Sequence, residues 1–341
     1  MRLNRNLVLL TLFLLMGVAT LLGVALGSVS VPLGQVAKIL LSRLLSIGSN
    51  LSGVHETIII HLRLPRVLTG ALVGLSLALC GGVMQGIFRN PLADPYLLGI
   101  ASGATAGAAA VIALGLETAP FALPGAAFLG GLLAVGIVYR IASTGRGGRL
   151  DNFTLILAGV ALAALFSAFT MFFLYMAGER QRSGILFWVM GGLAGASWPY
   201  FYLLLPIVLL GGAGLWMFSR DLNALALGEE QAAHLGIEPG RLKKILLVIA
   251  TLMTAASVSA SGTIGFVGLI VPHALRITIG PDHRWLLPAS ALAGAIFLIF
   301  CDMAARIIRP PVELPVGMIT ALFGAPFFLY LLRRSQKGKI G

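Results

Sequence analysis

The chain has 341 residues, 58% of them hydrophobic and only 11% charged, with a net charge of +12. Ordinary soluble domains carry roughly 25% charged residues, so a water-facing surface of the usual kind is excluded. The basic excess is scattered between apolar runs and lacks the aromatic-plus-basic patch of a nucleic-acid interface, so it reads as the charge of membrane loops. No polar linker divides the sequence, and 1–341 reads as a single all-α, polytopic transmembrane domain.

Apolar runs fall near 7–27, 67–87, 96–116, 121–142, 153–177, 200–218, 244–262, 264–280, 286–308 and 314–332, predicting ten helices. A span needs roughly 20 apolar residues to cross about 30 Å of hydrocarbon. The first run follows Met1-Arg2-Leu3-Asn4-Arg5 and could imitate a secretory signal. Its length and the spans that follow favour a retained first helix. The eighth run is short, bounded by Gly262 and by Gly280-Pro281. Cys80 and Cys301 lie within apolar runs without metal or redox spacing, and read as packing residues.

Starting the N-terminus in the cytoplasm and alternating puts 16 of the 24 Lys and Arg inside and 8 outside. That bias predicts both termini on the cytoplasmic side. The glycine-rich stretch Gly99 to Gly107 lies within an apolar run, where small residues let helix backbones approach closely.

Three segments lie between the spans. The outer stretch 28–62 has room for a short amphipathic helix. Segment 183–198 carries Trp188 and Trp198 and suits a short outer interfacial helix. Segment 219–244 is the most polar of the chain and predicts a short cytoplasmic helix broken at Gly236. Leu225, Ala232 and Leu235 could face a partner there, with Glu229 and Glu230 hydrated.

Catalytic signatures are missing. There is no nucleophile elbow, no paired zinc histidines and no clustered His/Cys/Asp site, so no catalytic or metal-ligating residue is expected. The phosphate loop of an ATPase is missing too, so the chain is not an enzyme and any ATP dependence belongs to another subunit. An ion-coupled secondary transporter, the alternative, would need buried ionisable groups as a relay. Asp302 has Arg306 at i+4 and reads as half of a local ion pair, and His273 as a helix-end hydrogen-bonding residue.

A set of motifs then occurs in order. Arg63-Leu64-Pro65-Arg66, Gly82-Val83-Met84-Gln85 and Arg89-Asn90-Pro91-Leu92-Ala93-Asp94-Pro95 come first. Leu157-Ala158-Gly159-Val160, Trp188-Val189-Met190-Gly191-Gly192, Leu227-Gly228-Glu229 and Leu235-Gly236 follow. Gly265 to His273, Asp282-His283-Arg284, Glu313-Leu314-Pro315-Val316-Gly317 and Gly324-Ala325-Pro326 close the series. Together, from about 60 to 332, they resemble the permease family of the vitamin B12 (cobalamin), haem and ferric-siderophore importers, of the type II ATP-binding-cassette (ABC) class.

The resemblance implies ten spans and a homodimer of two permease copies in a bacterial cytoplasmic (inner) membrane. It further implies two cytoplasmic ATPase subunits that use ATP and Mg, an external substrate-binding protein, and no cofactor bound by this chain. Arg63, Arg66 and Arg306 match arginines that meet acidic residues of the binding protein, a chemistry suited to carboxylate recognition. Leu227, Gly228, Glu229, Glu230, His234, Leu235 and Gly236 match the coupling helices seated on the ATPase. Asn90, Leu92, Asn152 and Phe153 match the cytoplasmic gate, although Phe153 is bulkier than the family's small hydroxyl residue there.

Overall fold

Backbone N–H and C=O groups have no water to bond inside a bilayer, so an apolar run satisfies them within itself as a helix. The computed structural model describes residues 4–27, 29, 31–44, 53–143 and 151–337, and among these it contains helices and no strand. Arg2, Arg146, Arg149 and Lys339, counted above among the inner charges, lie outside the described residues.

In chain order the helices are α1 (Arg5–Ala25), α2 (Leu33–Leu44) and α3 (Val54–Thr57), the last running through a π-helical stretch, Ile58–Arg63, into α4 (Leu64–Ile87). A 3-10 turn (Pro95–Leu98) then precedes α5 (Ile100–Ala113), α6 (Ala122–Ala142), α7 (Asn152–Met176) and α8 (Glu179–Met190). There follow α9 (Trp198–Met217), α10 (Ser219–Leu227), α11 (Glu229–His234), α12 (Pro239–Ser261), α13 (Val267–Ile279), α14 (His283–Ile307) and α15 (Val316–Lys337). Among the described residues seven helices are long and apolar enough to cross a membrane, and three shorter apolar ones bring the spans to the ten expected.

α4 is the axis of the molecule: nearly all its residues from Pro65 to Ile87 are buried, against α14, α13, α12 and α9. Its glycines allow this. A Cβ at Gly74 would run into the Gly294 carbonyl of α14, and one at Gly81 into the Gly268 carbonyl of α13. Gly103 and Gly107, from the glycine-rich stretch, likewise lie on the backbone of α6 at Gly130 and Ala126. Backbone-to-backbone contact of this kind is how apolar helices associate where water supplies no driving force. The outward faces of α1 and α9 carry exposed large apolar side chains such as Phe13 and Leu210, a surface suited to lipid.

Two of the ten spans are half-length, and both differ from their sequence runs. The run at 96–116 becomes a turn and a helix of 14 residues starting at Ile100; the run at 264–280 starts its helix at Val267 and has 13. Non-helical chain precedes α13, and it meets the turn before α5 where Tyr96 Oη donates to the Ile264 carbonyl at 3.0 Å. Asp94 caps the turn at Pro95 by accepting from the Tyr96 N–H at 2.8 Å. Pro272 removes a donor inside α13, so the Gly268 carbonyl, four residues earlier, lacks its usual helix partner.

The interfacial segment is corrected. It begins earlier, at Glu179, and turns at Gly191, so Trp198 belongs to the first turn of α9, where its Nε1 donates to the Ile60 carbonyl at 2.9 Å. α2 lies within the stretch 28–62, where a short helix was expected.

Candidate functional site

The polar side chains gather at the two ends of the helical body. At one end, α10 packs by Leu222 and Leu225, with Leu222 against Gly86 near the end of α4. Asn223 then clamps α10 to the start of α14: its Nδ2 donates to Asp282 Oδ1 at 2.7 Å, and its Oδ1 accepts the His283 N–H at 2.9 Å and lies 2.7 Å from His283 Nδ1. Asp282 also accepts from the Arg284 side chain and pairs with Arg5 at 3.5 Å, joining the start of α1 to the same point. The Arg284 hydrogen bonds, chiefly, hold the Asp282 carboxyl well below the usual carboxylate range.

Gly228, at φ +138°, makes the bend between α10 and α11, and Gly236, at φ +80°, ends the turn after α11. Both are backbone positions that other residues adopt only with strain. The expected partner-facing surface is corrected at two of its three apolar positions. Leu225 and Ala232 point into the protein, while Leu227 and Leu235 are 69% and 66% exposed. Glu230 and His234 are exposed as well.

Glu229 is not simply hydrated. It pairs with Lys243, whose ammonium is buried at 1% exposure in the second turn of α12 and also donates to Asn152 Oδ1 at 2.8 Å. Asn152 opens α7 after its N-cap Asp151, which accepts from the Thr154 N–H at 2.8 Å. The Asn152 amide reaches the Ile87 carbonyl at 3.4 Å, so the start of α7 touches the end of α4. Asn90 and Leu92 lie exposed just beyond that end, with Asn90 Oδ1 accepting the Leu92 N–H at 2.9 Å. Phe153 is 72% exposed. The structure therefore gathers the gate and coupling positions at one end, and adds two residues that motif matching missed. Lys243 has a readable signal: it shares the apolar stripe of α12 with Leu246, Leu247 and Ala250. Asn223 has none.

At the other end three arginines converge. Arg66 pairs with Asp302 at 2.8 Å and with Glu313 at 2.7 Å. Arg306 pairs with the second Asp302 oxygen at 3.0 Å and donates to the Gly23 and Leu26 carbonyls, each at 2.9 Å. Arg63 donates to the Val24 and Ala25 carbonyls at 3.0 and 2.9 Å, and to that of Val29. Arg63, Arg66 and Arg306 are 7%, 9% and 4% exposed. They were expected to be open to a partner, and the structure corrects this: their donors are engaged within the chain. All three nevertheless line a cavity of about 350 Å³ together with Leu62, Ala194 and Glu313. The expected pair of Asp302 with Arg306 is present, shared with Arg66. His273 sits within α13 rather than at its end, and its Nδ1 has no hydrogen-bond partner.

Among the described residues no three His, Cys, Asp or Glu side chains group as a metal site. An apolar helical body with polar assemblies at both ends is the arrangement of a multi-pass membrane protein. Residues 14–334 match the FecCD transport family, and the chain belongs to that family as a multi-pass transmembrane permease of the ABC-transporter class. It is 49% identical to the cobalamin import system permease BtuC of Halobacterium salinarum, over 82% of this chain and 75% of the relative. It is 40% identical to the hemin transport system permease HmuU of Yersinia pestis, over 83% of this chain and 85% of the relative. Among solved structures, a metal-chelate type ABC transporter in an inward-facing conformation matches with TM-score 0.84 and 32% identity, over 96% of this chain and 98% of that one.

Proposed function

We propose that this chain is the permease subunit of an ABC importer that carries a large metal chelate, namely a cobalamin, haem or ferric siderophore, across a bacterial cytoplasmic membrane. Two copies form the pathway by alternating access. Two ATPase subunits supply ATP and Mg chemistry on the cytoplasmic side, and a binding protein delivers the chelate outside; the chain itself binds no cofactor. The end holding α10 and α11 is cytoplasmic in this reading, with both termini on that side. The observation that carries it is the pair of polar assemblies at opposite ends of an apolar body, in a chain with relatives named as cobalamin and hemin permeases.

Leu227, Glu230, His234 and Leu235 offer the ATPase subunits an exposed face, with Gly228 and Gly236 shaping it. Asn90, Leu92, Asn152 and Phe153 form the cytoplasmic gate. Arg63, Arg66 and Arg306 act as a recessed docking site. Three guanidinium groups face two carboxylates, Asp302 and Glu313, so the cavity wall has one uncompensated positive charge. A carboxylate of the binding protein entering there restores neutrality, and charge complementarity of this kind steers association.

The test is uptake into vesicles holding the chain with its ATPase and binding-protein partners from the same organism, offered cyanocobalamin, haemin and a ferric siderophore separately. ATP-dependent, binding-protein-dependent accumulation of one of them is expected. Uptake by the chain alone, driven by a proton or sodium gradient, would overturn the reading in favour of a secondary transporter.

A further inference from the structure

Lys243 joins three elements that the proposed cycle must move relative to one another. Its ammonium bonds Glu229 of α11 and Asn152 of α7 from its own place on α12, and Asn152 in turn touches the last residue of α4. Among the described residues, Glu229 supplies the side-chain polar tie that holds α11 to the body; no other side chain of α11 makes a hydrogen bond or ion pair. The burial is asymmetric. The Lys243 side chain is 2% exposed and the Glu229 side chain 43%. A carboxylate so placed can be hydrated when the pair opens, whereas a buried ammonium stripped of its anion is strongly disfavoured.

We propose that Lys243 is a positioning residue that transmits the displacement of α11 to the start of α7. The inference rests on the reading of α10 and α11 as the ATPase contact. When the ATPase subunits draw α11 aside, Lys243 cannot lose Glu229 and stay where it is. It follows the carboxylate, withdraws its bond from Asn152, and frees the α7 start from the end of α4. Phe153, next in sequence and exposed, moves with Asn152, and the stretch bearing Asn90 and Leu92 is released from the other side. The neighbouring Lys244 is exposed, with its ammonium 5.7 Å from the Tyr139 ring centre, and takes no part.

The test uses the whole complex in lipid discs. Lys243→Met is the informative change because it leaves behind only Glu229 and the Asn152 amide, both half-buried groups that water can reach. Lys244→Met is the control, and a Leu157→Cys background, at an exposed position of α7 outside the gate residues, reports the displacement of that helix through its rate of reaction with a water-soluble maleimide. In that background and in Lys244→Met, ATP is expected to change the labelling rate several-fold. In Lys243→Met the complex assembles but the labelling rate no longer responds to ATP, and chelate moved per ATP hydrolysed falls about tenfold, the scale of ordinary site-to-site coupling. Lys243→Arg restores much of both. Asn152→Leu, which keeps the Lys243–Glu229 pair, shows the same loss and adds little to Lys243→Met in the double variant; it carries the test alone if Lys243→Met does not accumulate. An ATP-responsive labelling rate and control-level transport per ATP in Lys243→Met would overturn the link while leaving the importer reading standing. Failure of the unmutated chain to assemble with the ATPase would overturn both.

Discussion

Asp302 is one carboxylate shared by two arginines, and its position explains why the arginines could not be read as free. One oxygen takes Arg66 and the other Arg306, with only 2% of its side chain exposed. The i+4 spacing to Arg306 is visible in sequence, whereas Arg66 lies 236 positions away and only the packing of α4 on α14 brings it there. Removing the negative charge strands two buried guanidinium groups. Asp302→Asn is therefore expected to cost about 3–5 kcal/mol, as for other broken buried pairs. Thermal unfolding of the detergent-solubilised chain, set against the exposed Arg309→Gln, measures it. A midpoint unchanged from the unmutated chain would show that Arg66 and Arg306 are held by Glu313 and the backbone carbonyls alone. At the opposite end the same lesson holds for Lys243. Its charge was counted as one more cation of a cytoplasmic loop, yet its helical phase puts it on the buried stripe.

At the scale of elements, hydropathy located the spans well because a helix needs only enough apolar length to be legible. α6 and α7 fall within a residue or so of their runs. The failures were the two half-length helices, where the sequence stays apolar while the backbone leaves the helix. Composition cannot distinguish an apolar helix from apolar turns and irregular chain buried among other helices. Only the contacts of Tyr96 with Ile264, and of Gly81 with Gly268, decide it. The α4–α14 contact depends on two glycines with no room for a side chain. Gly294→Val is expected to force those helices apart and cost about 1–3 kcal/mol or more by overpacking. Gly136→Val on α6, where nothing lies within 4 Å, should cost much less. Comparing their thermal midpoints and yields is sufficient; equal effects would contradict the close backbone approach.

For the whole molecule, the question is which exposed apolar face meets lipid and which meets the pathway. α9 presents large residues such as Leu203, Leu209 and Leu210. α7 differs: between Leu157 and Phe169 its exposed positions include the small Ala161, Ala164, Ser167 and Ala168. Such a face suits the pathway that two copies would enclose in the proposed importer. A cysteine at Ala164 should thus react with a water-soluble thiol reagent in membranes, while one at Leu210 should not. Equal reactivity at the two sites would place the pathway elsewhere. The native thiols Cys80 and Cys301 are both buried and supply little background.

The sequence by itself determined that the chain lives in a bilayer, roughly where it crosses, and which family it belongs to. Those properties follow from apolar length and from motifs that are local in the chain. The tertiary structure decided how the charges are used. A buried Arg, Lys or Asp in an apolar body must find a counter-charge or a polar partner wherever packing delivers one, and here Arg66 finds the Asp302 carboxylate and Lys243 the Asn152 amide oxygen across long stretches of sequence. Residues that read as surface cations thereby become the fastenings between helices, and those fastenings lie at the two ends where a transporter must bind its partners and move.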